Sequence, residues 1–241
     1  MTVKDLLRPL PGVRRISRLR QRHNFVDSAH YWERNYTHGG TSGEGSYGAL
    51  GHAKAEFLNA FVREHGVRSV TEFGCGDGHQ LSLAQYPRYV GLDVSRAAID
   101  LCKRRFADDP TKSFFRYDGT CFVDHAGLFN ADLALSLDVI FHLVEDSVFE
   151  MYMTHLFSAG DRYVVVYATN MAMRDTAPHV RHRLYTSWVE DNCPQWQLAQ
   201  HKPGPGTGAC RADFFVYRRL VTRAPSQVSE RVLTITEQEP G

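Results

Sequence analysis

Glu72-Phe73-Gly74-Cys75-Gly76-Asp77-Gly78 closes the apolar run that begins at Ser69. Glycines at alternate positions directly after a strand permit a tight turn and let the backbone come close to a ligand. The helix that follows would offer its unsatisfied N–H groups to the same ligand. Such a loop alone is common to many α/β domains. It gains meaning one strand later, where the run Tyr89 to Asp93 ends in a carboxylate suitably placed to accept from both hydroxyls of a ribose.

Outward from this loop, short apolar runs alternate with helical patterns, the mark of parallel βαβ units, so the fold class is α/β. Strands are predicted at Ser69 to Phe73, Tyr89 to Asp93, Ser113 to Tyr117, Asp132 to Leu137 and Tyr163 to Ala168. Most read as continuous apolar runs, as strands buried on both faces do. A helix is predicted from Glu145 to Phe157, with Phe149, Met153 and Leu156 on one face and an end near Gly160, and Ser95 is a candidate cap for another. After a helix around Tyr185 to Asp191, the segments Trp196 to His201 and Ala212 to Arg218 flank a Pro/Gly-rich turn and suggest a terminal antiparallel hairpin. Ahead of the first strand, Tyr31 to Gly48 carries glycines bracketed by aromatics and reads as a mobile lid, followed by a helix through Phe57, Phe61 and Val62. The expected organisation is a basic arm and lid over 1–56, a core over 57–224 and a polar tail over 225–241.

The ordered series Glu72 to Gly78, then Gly91-Leu92-Asp93, then Asp118, then the strand running to Asp138, resembles the successive motifs of the class I S-adenosylmethionine-dependent methyltransferases. The GxGxG spacing lacks the third glycine of the dinucleotide fingerprint. The resemblance covers about Phe57 to Arg218 and implies a Rossmann-like seven-stranded sheet ending in a hairpin, under an N-terminal helical lid, with S-adenosylmethionine as cofactor. It implies that Gly74, Cys75 and Gly76 approach the methionine part, that Asp93 holds the ribose and that Val94 touches adenine. Asp118 would accept from the adenine amino group, Leu137 and Asp138 would border the methionyl end, and Tyr36 and Ser42 of the lid would close over the cofactor.

Methyl transfer from a sulfonium is an in-line displacement, so a poorly nucleophilic hydroxyl needs a base beside it. His142, just past the fourth predicted strand, is the candidate general base; the alternative is a structural histidine. Further along, His179, Arg181 and His182 lie in the cationic stretch His179-Val180-Arg181-His182-Arg183, which suits a hydroxyl-rich or anionic acceptor or, alternatively, a solvated helix entry. With the aromatic lid, these segments resemble small bacterial sugar and polysaccharide O-methyltransferases of the methylmannose polysaccharide type. That resemblance implies a saccharide acceptor in polysaccharide biosynthesis. Asp138, His142 and Asn170 are candidates to converge on Mg2+, although Thr169-Asn170-Met171 lacks the paired acids of metal-dependent relatives.

Composition narrows the field. A formal charge of +1 over 241 residues gives no general reason for a nucleic-acid partner, and the stretch Asp138-Val139-Ile140-Phe141 lacks the base-stacking motif of amino-methylating nucleic-acid enzymes. No apolar run is long enough to span a membrane. Only the first 23 residues are strongly basic, reading as an amphipathic arm. Five scattered cysteines without a CxxC pair suit a reducing cytoplasm. The expected protein is a cytoplasmic sugar O-methyltransferase, homodimeric in one reading; the alternatives are a methyltransferase of another small molecule or of nucleic acid, and a noncatalytic cofactor-binding partner.

Overall fold

The computed structural model describes residues 25–174, 177–206 and 211–220. The basic arm and the polar tail expected from the sequence lie outside these residues.

Two helices precede the sheet, α1 (Ser28–Thr37) and α2 (Gly48–Glu64). The chain then alternates through β1 (Val70–Phe73), α3 (His79–Ser82), β2 (Tyr89–Asp93), α4 (Arg96–Arg105), β3 (Lys112–Arg116), β4 (Ala131–Leu137), α5 (Asp146–Ala159) and β5 (Gly160–Ala168). A two-residue ladder of β6 (Met173–Arg174) and β7 (Arg181–His182) leads to α6 (Tyr185–Asn192), and β8 (Trp196–Lys202) and β9 (Asp213–Arg219) form the last hairpin. The seven-stranded sheet has the order β3-β2-β1-β4-β5-β9-β8. The first five strands are parallel, and β9 runs antiparallel between β5 and β8. Strand order reverses between β1 and β4, so a crevice opens beyond their carboxyl ends, where sheets of this kind bind ligands.

The strand sequences explain the two-sided burial. In β4, Leu133, Leu135 and Leu137 join α2 and α4 in one apolar cluster, while Ala134 points to the other, which α5 and α6 cover. Period-two alternation sends neighbours to opposite faces, and both faces are covered, so both sets must be apolar. Each fully buried Leu or Phe contributes roughly 1.5–3 kcal/mol. Ser95 caps α4, accepting from Ala98 N at 3.1 Å.

The expected N-terminal helical lid is present over Ser28–Thr37, capped by Asp27 accepting from His30 N at 2.6 Å. Two other readings change. β3 is an edge strand with Phe115 47% exposed, not a strand buried on both faces. The β6–β7 ladder was not foreseen, since two-residue strands carry no periodicity to read.

Candidate functional site

The glycine turn after β1 is shaped by its backbone. Gly74 and Gly76 have φ of +86° and +57°. A Cβ on Gly76 would overlap Ser42 Oγ, and one on Gly74 would overlap the Val139 side chain. The turn therefore lets residues from the lid and from the end of β4 close against main chain. A cavity of 340 Å³ lies there, within the range of small-molecule sites.

One wall is the end of β2. Asp93 is buried, and its two oxygens accept from Gly76 N and Ser95 N, both at 2.9 Å. Burial without a neighbouring cation raises its pKa to about 6 despite those bonds. Each carboxylate oxygen has two lone pairs, so one on each remains for a ligand diol. Val94 and Tyr117 continue this wall.

The opposite wall is the end of β4. Asp138 is the one non-glycine among the described residues with positive φ, +60°, and it lines the cavity with Leu137. Its strained backbone is held by its N–H bond to the Tyr167 carbonyl at 2.9 Å and by an ion pair with Lys54, which is fully buried. Lys54 was missed from sequence, yet a signal existed. It falls on the core-facing stripe of α2 with Gly51, Ala55, Leu58, Phe61 and Val62, where a charge is out of pattern unless it has a task. Glu72 lies below, accepting from Tyr89 Oη at 2.6 Å; burial raises its pKa to about 7, partly offset by Tyr89 and Lys54. Gln80 also lines the cavity, with Nε2 bonded to the Gly51 carbonyl and a buried Oε1 that has no hydrogen-bond partner among the described residues.

The roof is the N-terminal segment, fastened at three places by carboxylates. Glu145 accepts from Ser28 N and Ser28 Oγ at 3.1 and 2.6 Å. Glu33 accepts from Ser95 Oγ at 2.7 Å. Asp77 accepts from Ser42 N at 3.0 Å and Tyr47 Oη at 2.7 Å, while Ser42 Oγ in turn accepts from Asp77 N. Burial works against the Asp77 charge, but these bonds and one from His79 N hold its pKa below the ordinary value. Tyr36 and Ser42, joined by a hydroxyl pair at 3.1 Å, line the cavity from above.

His142 sits in a 3-10 turn, Ile140–His142, at the cavity's far end. Its Nδ1 lies 3.1 Å from the His179 carbonyl, which can only accept, so Nδ1 carries the hydrogen and Nε2 is left basic. Burial lowers its pKa to about 4, so the ring is neutral. Trp32 meets it edge-on at 4.8 Å.

Other expected residues stand elsewhere. Asp118 does not line the cavity; past the end of β3 it is exposed and closes its own turn, accepting from Thr120 N and Oγ1 at 3.0 and 2.7 Å. Neither Arg181 nor His182 reaches it. Arg181 donates to the Val144 carbonyl and pairs with Asp146, and Arg183 does likewise with Leu143, Val144 and Asp146. His182 Nδ1 lies 2.6 Å from Thr169 Oγ1. The cationic stretch braces the His142 turn from behind, and His179 contributes its carbonyl. The donor set proposed for Mg2+ does not fit that ion. One oxygen of Asp138 is taken by Lys54, Asn170 exchanges two bonds with Thr186, and among the described residues no group of three His, Cys, Asp or Glu is placed to hold a metal.

No family model matches the chain. The small RNA 2'-O-methyltransferase of Arabidopsis thaliana is 32% identical over 112 residues, 42% of this chain and 12% of that protein's length. Among solved structures, the N-methyltransferase NodS of Bradyrhizobium japonicum WM9, with S-adenosyl-L-homocysteine, aligns at a TM-score of 0.64 and 15% identity, over 80% of this chain and 99% of that one. The methyltransferase domain of bacterial CtHen1-C aligns at 0.57 and 18% identity, over 70% and 98%. Magnesium protoporphyrin IX methyltransferase of Synechocystis PCC 6803, with S-adenosylmethionine, aligns at 0.58 and 17% identity, over 80% and 98%. The chain has the class I S-adenosylmethionine-dependent methyltransferase fold.

Proposed function

On this fold, we propose that the cavity between the ends of β1, β2 and β4 takes S-adenosylmethionine, and that the protein is an O-methyltransferase acting on a sugar hydroxyl. The free lone pairs of Asp93 suit the ribose diol, and Asp138 and the unpartnered Gln80 Oε1 suit the ammonium of the methionyl end. Acidic side chains, Asp93 and Asp138 among them, border a site that would receive a sulfonium. When bound, the cofactor supplies an electrophilic methyl group.

His142 carries the assignment to oxygen. A neutral imidazole held by Nδ1, with Nε2 basic, takes the hydroxyl proton as the oxygen attacks the methyl carbon in line. Trp32, edge-on to that ring, offers an apolar face for a sugar to lie against. A second reading, the 2'-hydroxyl of an RNA ribose, is favoured by the activity of the Arabidopsis relative.

The test is transfer of labelled methyl from S-adenosylmethionine to a panel of mono- and oligosaccharides, methylated ones included, and to short RNAs, with and without magnesium. The proposal expects sinefungin-sensitive labelling of a saccharide. Labelling of RNA alone would replace it with the second reading, and labelling of a nitrogen would refute both.

A further inference from the structure

A second cleft, 450 Å³ in volume, lies beside α1 and meets the first through a wall of four rings. Trp32 and His142 face the cofactor cavity, whereas Tyr31 and His179 face the second cleft. Tyr31 stacks on His179 at 4.1 Å, His179 lies parallel to His142 at 5.6 Å, and Tyr31 meets Trp32 edge-on at 5.4 Å. The cleft is lined by His179, whose ring lies parallel to that of the group assigned as base.

The lining of this cleft is one-sided in charge. His30, Arg34 and His38 all contribute to it, with Asn35, and no carboxylate among the described residues does. His30 and Arg34 stand four residues apart on one side of α1, and His38 follows as its C-cap. The one acid within α1, Glu33, bonds to Ser95 on α4 instead. Arg34 has no ion-pair partner among the described residues and is exposed. The helix dipole favours Arg34 in the last turn of α1. His38 Nδ1 lies 2.7 Å from the Arg34 carbonyl and the Asn35 amide donates to the Thr41 carbonyl, so the exposed Arg34 guanidinium is the group in this lining that calls for an anion.

We propose that this cleft binds a phosphate group carried by the acceptor, with Arg34 as its main contact and His30 and His38 beside it. The acceptor is then a sugar with a phosphate near the methylated hydroxyl, either as a phosphomonoester or as a phosphodiester. Its placement as acceptor rests on the assignment of the first cavity; the binding of phosphate does not.

Histidine-ring NMR of the full chain tests both separately, with His30 and His38 signals identified from His30→Gln and His38→Gln. Mannose 6-phosphate, mannose, inorganic phosphate and an oligoribonucleotide with a 5'-hydroxyl, whose phosphates are all diesters, are titrated in turn. Saturable shifts of the His30 and His38 rings with the phosphate-bearing probes, absent with mannose, are expected. Arg34→Gln should weaken that binding about tenfold, the effect of one charge-assisted bond. Tighter binding of the sugar phosphate than of the oligonucleotide points to a phosphomonoester, and the reverse to a phosphodiester. S-adenosylhomocysteine added to the same sample reports the first cavity through His142. If it binds while phosphate leaves both rings unmoved, or if Arg34→Gln binds phosphate as tightly as the parent, the inference falls and the cofactor assignment stands. If phosphate binds and S-adenosylhomocysteine does not, the cleft stands and the acceptor reading falls.

Discussion

His142 and Glu72 are buried titratable groups shifted in opposite senses, and the two shifts have different consequences. For His142, a pKa near 4 leaves the base unprotonated across the working range, so its own titration imposes no loss of rate between about pH 6 and 8. His142→Ala should lower kcat by about 10²- to 10⁴-fold while S-adenosylhomocysteine affinity stays within about threefold, as measured by steady-state kinetics and titration calorimetry. Glu72 acts on stability. Its pKa is raised from 4.5 to about 7 in the folded chain, so its favourable contribution is present below pH 4.5 and lost as pH rises through 7. Glu72→Gln keeps an acceptor for Tyr89 and removes the ionisation. Denaturant unfolding should show the variant gaining on the parent between pH 5 and 8 by on the order of 3 kcal/mol. His142 titrates in both proteins and cancels in the difference. A gap independent of pH would mean that Glu72 is not held protonated.

At the scale of elements, α1 is fixed to the core by side chains more than by packing: Ser28 on Glu145, Glu33 on Ser95, and beyond its end Ser42 and Tyr47 on Asp77. Removing one fastening should open the roof without unfolding the sheet. Asp77→Asn and Glu145→Gln are expected to speed amide hydrogen exchange over 28–47 by about tenfold or more while β4 and β5 keep their protection. Uniformly faster exchange would show instead that the roof and sheet unfold together. The strands of the sheet were legible within one to three residues because buried strands advertise themselves as apolar runs; β2, Tyr89–Asp93, coincides at both ends. The bounds of α1 were not, since its buried positions, Ser28 and Tyr36, leave no apolar stripe and its glycine-rich sequel suggests a loop. The cationic stretch misled for a related reason. Sequence shows that Arg181 and Arg183 are charged, but not that the carbonyls of Leu143 and Val144 and the Asp146 carboxylate wait behind the His142 turn.

For the molecule as a whole, topology gathers the site. The reversal of strand order between β1 and β4 brings Gly74, Asp93 and Asp138 to one crevice. The segments quoted around Gly74, Asp93 and Asp138 therefore meet at one crevice, whereas Asp118 stands outside it. What sequence could not supply were the partners from outside that series: Lys54 against Asp138, Gln80 over the cavity floor, and the carbonyl of His179 that fixes the His142 tautomer. The magnesium reading loses support for the same reason, because one of its candidate ligands already has a buried cation beside it. The claim on which everything else depends is that this crevice holds S-adenosylmethionine through Asp93. Titration calorimetry of S-adenosylmethionine into the parent and Asp93→Asn tests it directly. Saturable binding in the parent, weakened at least about tenfold in the variant, is the predicted result, since an amide cannot accept from Gly76 N, Ser95 N and a diol at once. No binding by the parent, or equal binding by both proteins, would contradict it.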